Sequence, residues 1–255
     1  LNASGTGSSS STAINVKPNG GGARNISGTI TPGAPLIDLN GADNVTFDGL
    51  NSGGNSLTLS NSTVSIVAKT STVQFENGAT NNVIIKCSIL GSSTVGTGTN
   101  GGNIAFGAAS ATDGNDNNKI INCDIGPAGT NLPTKCIFFG GSSNNHPGTA
   151  NSGILISDCM IFDFFNDMFN SYGIEINTGS VVDTISNNRF YQTAARTQTA
   201  AGLHHRMISI NNANGNGYVI NNNILGYAAP NATGVYAFTF PNTTNSAFIP
   251  IFLSV

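Results

Sequence analysis

"TNNVIIKCSILG", Thr80 to Gly91, returns as "DNNKIINCDIG", Asp116 to Gly126, with Cys123 standing thirty-six residues after Cys87. "ILISDCMIF" then places Cys159 thirty-six residues after Cys123. Weaker copies extend the series. "TISNNRF" offers Asn188, "VINNNIL" offers Asn222 and, upstream, "VTFDGL" offers Asp48. The slot column therefore reads Asp48, Cys87, Cys123, Cys159, Asn188, Asn222. Three residues before the slot stand Val45, Ile84, Ile120, Ile156, Ile185 and Val219. Two residues after it stand Leu50, Ile89, Ile125, Ile161, Phe190 and Ile224. Every flanking residue is apolar in a mostly polar chain. Self-similarity at such a period signals a repeat architecture.

The two apolar columns are an odd number of residues apart, whereas a straight strand returns to the same face at even offsets. The chain must bend between them, and the slot is expected at a corner, where Asn tolerates unusual dihedrals. A second strand precedes each corner. Its inward pairs are Ile37/Leu39, Val73/Phe75, Ile104/Phe106, Ile137/Phe139, Ile174/Ile176, Ile208/Ile210 and Phe238/Phe240, each alternating with polar or small neighbours. Runs such as "GSSTVGTGTNGG" separate the strands and read as turns. No helical period is sustained; "MIFDFFNDMF" is the one place where a single helical turn fits.

Strands that return in register mean a solenoid in which like residues stack in columns. The pattern predicts an all-β parallel β-helix of about seven coils, roughly 30–39 residues each. Residues 1–35 are read as an N-terminal cap, 36–240 as the β-helix, and 241–255 as a terminal strand or contact segment. A β-sandwich rarely keeps one corner motif in register so often, and a propeller needs four strands per repeat. Stacked strands lie about 4.8 Å apart with parallel side chains, whereas a disulfide brings Cβ atoms to about 3.8 Å. Cys87, Cys123 and Cys159 are therefore predicted to be free thiols.

Composition narrows the function classes. Charged residues make up 8% of the chain, against roughly 25% in ordinary soluble domains. Nine Lys and Arg residues are scattered, and the net charge is −3, so the basic stripe of a nucleic-acid binder is missing. The longest apolar passage, "AFIPIFLSV" at 247–255, is short for a membrane span and holds a Pro. Four cysteines without CxxC or a Cys/His cluster argue against a disulfide scaffold or zinc, and no metal or cofactor is expected. The chain starts at Leu1 without a leader-like segment, so it is expected to be a processed product or a fragment.

The stretch "INVKPNGGGARNISGTITPGAPLIDLNGADNVTFDGLNSGG", with the later "GAASATDGNDNNKIINCDI", resembles secreted right-handed β-helix proteins of the Bacteroidota. Many of these are large surface proteins exported by the type IX route. The resemblance covers most of residues 14–230 and implies a right-handed, pectin-lyase-like β-helix at the cell surface or outside the cell. It implies no defined activity.

Chemistry would have to come from outward-facing residues. Between the inward pairs these read Asp38, Gln74, Ala105, Phe138, Glu175, Ser209, Thr239. Asp38 and Glu175 are four coils apart, about 19 Å, too far for paired acid–base work. Asp38 and Glu76 are one coil and two residues apart, about 8 Å, a separation that suits an inverting glycosidase. No basic residue stands beside them on the strand, and two solvated surface carboxylates are the competing reading. Arg189, Tyr191 and Arg196, with His204, His205 and Arg206 one coil later, combine positive charge with an aromatic ring that would suit acidic sugars. The same residues also read as a plain turn. His146 has no visible partner. "TDGNDNN", 112–118, is oxygen-rich but lacks EF-hand spacing and reads as a turn. "DTI", 183–185, resembles a short O-glycosylation signal of Bacteroidota.

The sequence thus points first to a non-catalytic extracellular module, an adhesin, stalk or fibre segment whose partners would be glycans or surface polymers. The alternative is a polysaccharide lyase or glycoside hydrolase working in the lateral groove. The apolar "FIPIFLSV", 248–255, looks uncapped and is expected to meet another domain or another copy.

Overall fold

The computed structural model describes residues 1, 13–107, 113–140, 148–241 and 245–255. His146 and Thr112 lie outside the described residues. The chain is an all-β parallel solenoid of about six turns, with no helix among the described residues. Three parallel sheets, each seven strands deep, form its long faces. The first sheet runs from Ile14–Val16 to Val219–Asn221, the second from Ala23–Gly28 to Ile224–Tyr227, and the third from Pro35–Asn40 to Ala247–Ser254.

Column stacking builds the core. In the first sheet Val16, Phe47, Ile84, Ile120, Ile156, Ile185 and Ile220 lie over one another. In the second the column is Ile26, Leu59, Ile89, Ile125, Ile161, Phe190 and Leu225. The third carries two, from Ile37 to Ile251 and from Leu39 to Leu253. Within the last, Phe75, Phe106 and Phe139 stack face to face at 4.5 and 4.7 Å. Each fully buried Ile, Leu or Phe contributes about 1.5–3 kcal/mol, so the columns are the main source of stability.

The corner between the first two sheets has a definite geometry. Lys86, Asn122, Asp158, Asn187 and Asn222 all have φ between 53° and 58°. This left-handed residue, not the slot itself, supplies the bend and explains the odd spacing of the apolar columns. Asn and Asp tolerate the conformation through local hydrogen bonding. In the second turn Gly49 stands at this position without a left-handed φ, which passes to Leu50 and Asn51 at 61° and 45°; a Cβ on Gly49 would meet the Lys86 carbonyl oxygen at 1.8 Å.

The slot follows immediately, and its side chains do one job. The thiols of Cys87, Cys123 and Cys159 point at the carbonyls of Phe47, Ile84 and Ile120 in the turn before, at 3.6, 3.5 and 3.6 Å. Asn188 and Asn223 donate through Nδ2 to Ile156 and Ile185 in the same way, at 3.0 and 2.8 Å. All four cysteines, Cys136 included, are buried free thiols.

Several sequence expectations are corrected here. Asp48 pairs with Ile85 and lies outside the slot column; Leu57 stands beside Cys87. The cause is a longer turn after Asp48, around Gly49–Asn55, which breaks the constant offset. Asn222 belongs with Asn187, and Asn223 fills the slot, because Ser186 pairs with Asn221. Three consecutive Asn residues gave no side-chain pattern to fix that register. Phe238/Phe240 are not a seventh inward pair. Phe238–Thr239 pairs with Arg196–Thr197, and Ile251/Leu253 complete the third sheet. Ile14–Val16 and Ala23–Gly28, within 1–35, are the outermost strands of the first and second sheets, and Ala247–Ser254 is the last strand of the third. "MIFDFFNDMF" opens with the strand Met160–Phe162 and continues without a helical turn.

Candidate functional site: the outer face of the third sheet

The outward residues of the third sheet form one row across the registers: Asp38, Gln74, Ala105, Phe138, Glu175, Ser209 and finally Phe252 in place of Thr239. An open lateral groove would leave these side chains wet. Instead Gln74, Ala105, Phe138, Glu175 and Ser209 are all at most 2% exposed. The chain covers its own outer face.

Much of that cover is the turn-rich segment after the strand Cys87–Gly91. It is pinned by Lys135 and Glu175, a fully buried ion pair. Lys135 Nζ donates to the carbonyls of Gly96 and Thr99, at 2.8 and 3.1 Å, and to Glu175 Oε2. Its three protons are thereby satisfied. Glu175 Oε1 accepts the Gly98 N–H at 2.8 Å, and Tyr172 Oη contacts Thr97 Oγ1 at 3.3 Å. The ammonium also sits 4.5 Å from the centroid of the Phe138 ring. Burial pushes the Lys135 amine down from its ordinary range, and the neighbouring Glu175 carboxylate pulls it back. Such a pair is a clamp: each charge is buried only because the other and the loop carbonyls solvate it. A lysine beside the otherwise apolar run Cys136–Phe139 is the sequence signal for it, since an unpaired lysine is almost never fully buried.

Asp38 and Glu76 occupy the N-terminal end of the same face. Asp38 lies opposite Gln74, and Glu76 lies two residues further along that strand. Burial, then the Glu76 charge, raise the Asp38 carboxyl above its ordinary range. Glu76 is held by Lys69 Nζ at 2.8 Å and by Gln74 Nε2 at 3.0 Å. A basic residue therefore does accompany the pair, from the turn before the strand, where the sequence showed none on the strand itself.

The basic and aromatic group is spent on internal partners. Arg189 bonds the Pro230 carbonyl at 3.0 Å. Arg196 pairs with Asp163 at 2.7 Å and bonds Gln192 at 2.7 Å. Tyr191 stacks on Phe162 at 5.2 Å, and burial pushes its hydroxyl up to about 12. His205 is wholly buried, stacked 4.9 Å from Phe164 and bonded to the Tyr236 hydroxyl. Burial holds its imidazole down at about 3, so it is neutral at physiological pH. His204 is half-buried, and its backbone N–H donates to Asn170 Oδ1 at 2.7 Å. Arg206 lies 3.9 Å from the Phe252 ring centroid.

Two ladders escaped the sequence reading. Asn82 Oδ1 accepts the Val45 N–H and Asn118 Oδ1 accepts the Asn82 N–H, both at 2.9 Å; Asp183 Oδ1 plays the same part for Ile154 at 3.1 Å. Beside it, Asn115 and Asn151 accept from Ala79 and Asn115 at 3.0 and 3.1 Å. The oxygen-rich "DGNDNN" stretch is thus spent on the ladders, with Asp116 taking the N–H and hydroxyl of Ser152. Among the described residues no three His, Cys, Asp or Glu side chains converge as metal ligands, and no helix is long and apolar enough to cross a membrane.

Comparison with protein-family models, with curated proteins and with solved structures finds no match to this chain.

Proposed function

We propose that the chain is a non-catalytic extracellular β-solenoid module, a stalk, adhesin or fibre segment of a secreted or cell-surface protein. The observation that carries this reading is the self-covered outer face of the third sheet. Where a groove enzyme would present catalytic side chains, this chain has a buried clamp, Lys135–Glu175, whose hydrogen bonds are all used internally. The scarcity of charge and the Asn-, Ser- and Thr-rich exterior favour a passive, hydrated surface that meets neutral polymers through hydrogen bonds. The resemblance to right-handed, pectin-lyase-like surface proteins of the Bacteroidota agrees with an extracellular setting.

One observation favours the alternative of a polysaccharide lyase or glycoside hydrolase. Asp38 is a carboxyl with raised proton affinity beside a second carboxylate, the disposition of an acid–base pair. A screen of acidic and neutral glycans for released reducing or unsaturated ends decides between the two. The module reading expects no turnover. Turnover abolished by Asp38→Asn or Glu76→Gln, with thermal stability unchanged, overturns it.

A further inference from the structure

Main-chain hydrogen bonds tie both flanks of the segment over the third sheet to neighbouring turns. Thr94 donates to the Ser65 carbonyl at 3.0 Å, the Ser93 carbonyl accepts from Thr134 at 2.9 Å, and the Asn100 carbonyl accepts from Lys69 at 2.7 Å. Between these anchors, residues 95–99 make no main-chain bond to another turn among the described residues. Their one backbone bond, from Thr99 to the Gly96 carbonyl at 3.3 Å, closes the tip on itself. Val95 is buried beside the first anchor. The tip, 96–99, is held by side chains: Lys135 and Glu175 beneath it, Tyr172 and Asn170 at Thr97 Oγ1, and the Phe169 ring, which a Cβ on Gly96 would meet at 3.3 Å.

The tip is also thin. Thr97 and Gly98 are exposed, whereas the side chains of Lys135 and Glu175 beneath them are 0% and 2% exposed. One layer of backbone, bare at Gly98, therefore separates a buried ion pair from water. Burying two charges costs hydration that their pairing only partly recovers, and lifting the tip restores it. Exposed backbone, few apolar contacts and no strand ladder mark a segment that opens locally, below the cost of global unfolding. Glycine supplies the pivots, Gly96 on one side and Gly101, at φ 139°, on the other.

We propose that residues 96–99 are a lid, which swings on Gly96 and Gly101 and uncovers Lys135, Tyr172 and Glu175 while the three sheets stay folded. The open state presents an ammonium, a phenol and a carboxylate in one strip beside the Phe138 ring. This inference goes beyond the module reading and does not depend on it. Native-state hydrogen exchange at low denaturant concentration tests it. An open state populated at about 0.1–10% predicts that the Gly98 N–H exchanges at least roughly a hundredfold faster than the slowest amides of the strand Gly102–Phe106, and without responding to denaturant. Acetic anhydride should acetylate Lys135 in the folded chain, as read by peptide mapping. Gly98→Pro removes the donor to Glu175 and cannot hold the native φ of 70°. It should speed Lys135 acetylation at least roughly tenfold and leave the protection of Gly102–Phe106 unchanged. Exchange of Gly98 and that strand together, with one denaturant dependence, overturns the inference. So does a Lys135 that stays unmodified while the exposed Lys69 and Lys119 react, or a Gly98→Pro variant that leaves its acetylation unaltered or lowers the strand's protection equally.

Discussion

The backbone N–H of Cys159 donates to Oδ1 of Asn188 at 2.9 Å. One turn apart in the same column, a thiol and a carboxamide also donate to equivalent carbonyls, those of Ile120 and Ile156. Cysteine and asparagine are interchangeable here because the corner asks for a small buried donor. Asparagine adds an acceptor that ties it to the turn before.

Cys159→Asn should accordingly be tolerated, with thermal stability within about 1 kcal/mol of the parent. Cys159→Val keeps the volume but removes the donor, leaving the Ile120 carbonyl without that bond. It should cost about 1–2 kcal/mol in denaturant unfolding.

All four thiols should be inert in the folded protein. Burial raises Cys87, Cys123 and Cys136 above the ordinary thiol range, which suppresses the reactive thiolate. Ellman's reagent should therefore find no fast-reacting thiol in the native chain and all four after denaturation.

Removing one member of the Lys135–Glu175 clamp leaves the other buried and unpaired. Lys135→Ala or Glu175→Gln should destabilise by roughly 3–5 kcal/mol. Hydrogen exchange should accelerate most at Gly96–Thr99, the segment the clamp holds. Replacing both together, as Lys135→Met with Glu175→Leu, should recover much of the loss, because no lone charge remains.

Asp183 and His205 pull stability in opposite directions with pH. Burial raises the Asp183 carboxyl from 3.8 to about 7. Between these values the folded state holds a proton that the unfolded chain has lost, so stability falls as pH rises through about 4 to 7 and stays low above. His205, lowered from 6.5 to about 3, does the reverse: the unfolded chain takes the proton first, so stability falls as pH drops through that window. Asp183→Asn places at its rung the residue already used at Asn82 and Asn118 in the same ladder. It should raise stability above pH 7 by roughly 2 kcal/mol. Chemical denaturation across pH 4–8 should also show a steeper acid decline in the variant, with the His205 effect no longer opposed.

The solenoid was legible because burial inside a stacked column demands apolar side chains at fixed places. Ile84, Ile120 and Ile156 repeat at one spacing and revealed the first sheet. Register failed where turn length changed, at Asp48, and where identical neighbours blurred the pattern, at Asn221–Asn223. Phe238 and Phe240 show a different limit. Alternating aromatics satisfy the strand pattern, yet Phe238 packs 4.6 Å from His205 in a side cluster, which periodicity cannot foresee. The outer face was least legible. Glu175 reads as a surface carboxylate until Lys135, forty residues earlier on the neighbouring strand, is seen to pair with it under the Gly96–Thr99 loop.

Anomalous scattering from the native sulfurs of a crystal tests the central claim most directly, because it locates the cysteines without reference to the fold. Stacked turns predict the sulfurs of Cys87, Cys123 and Cys159 in one row, at steps of about 4.8 Å, with Cys136 off that row. Sulfurs of these three residues scattered without a common line would contradict the solenoid and everything argued from it.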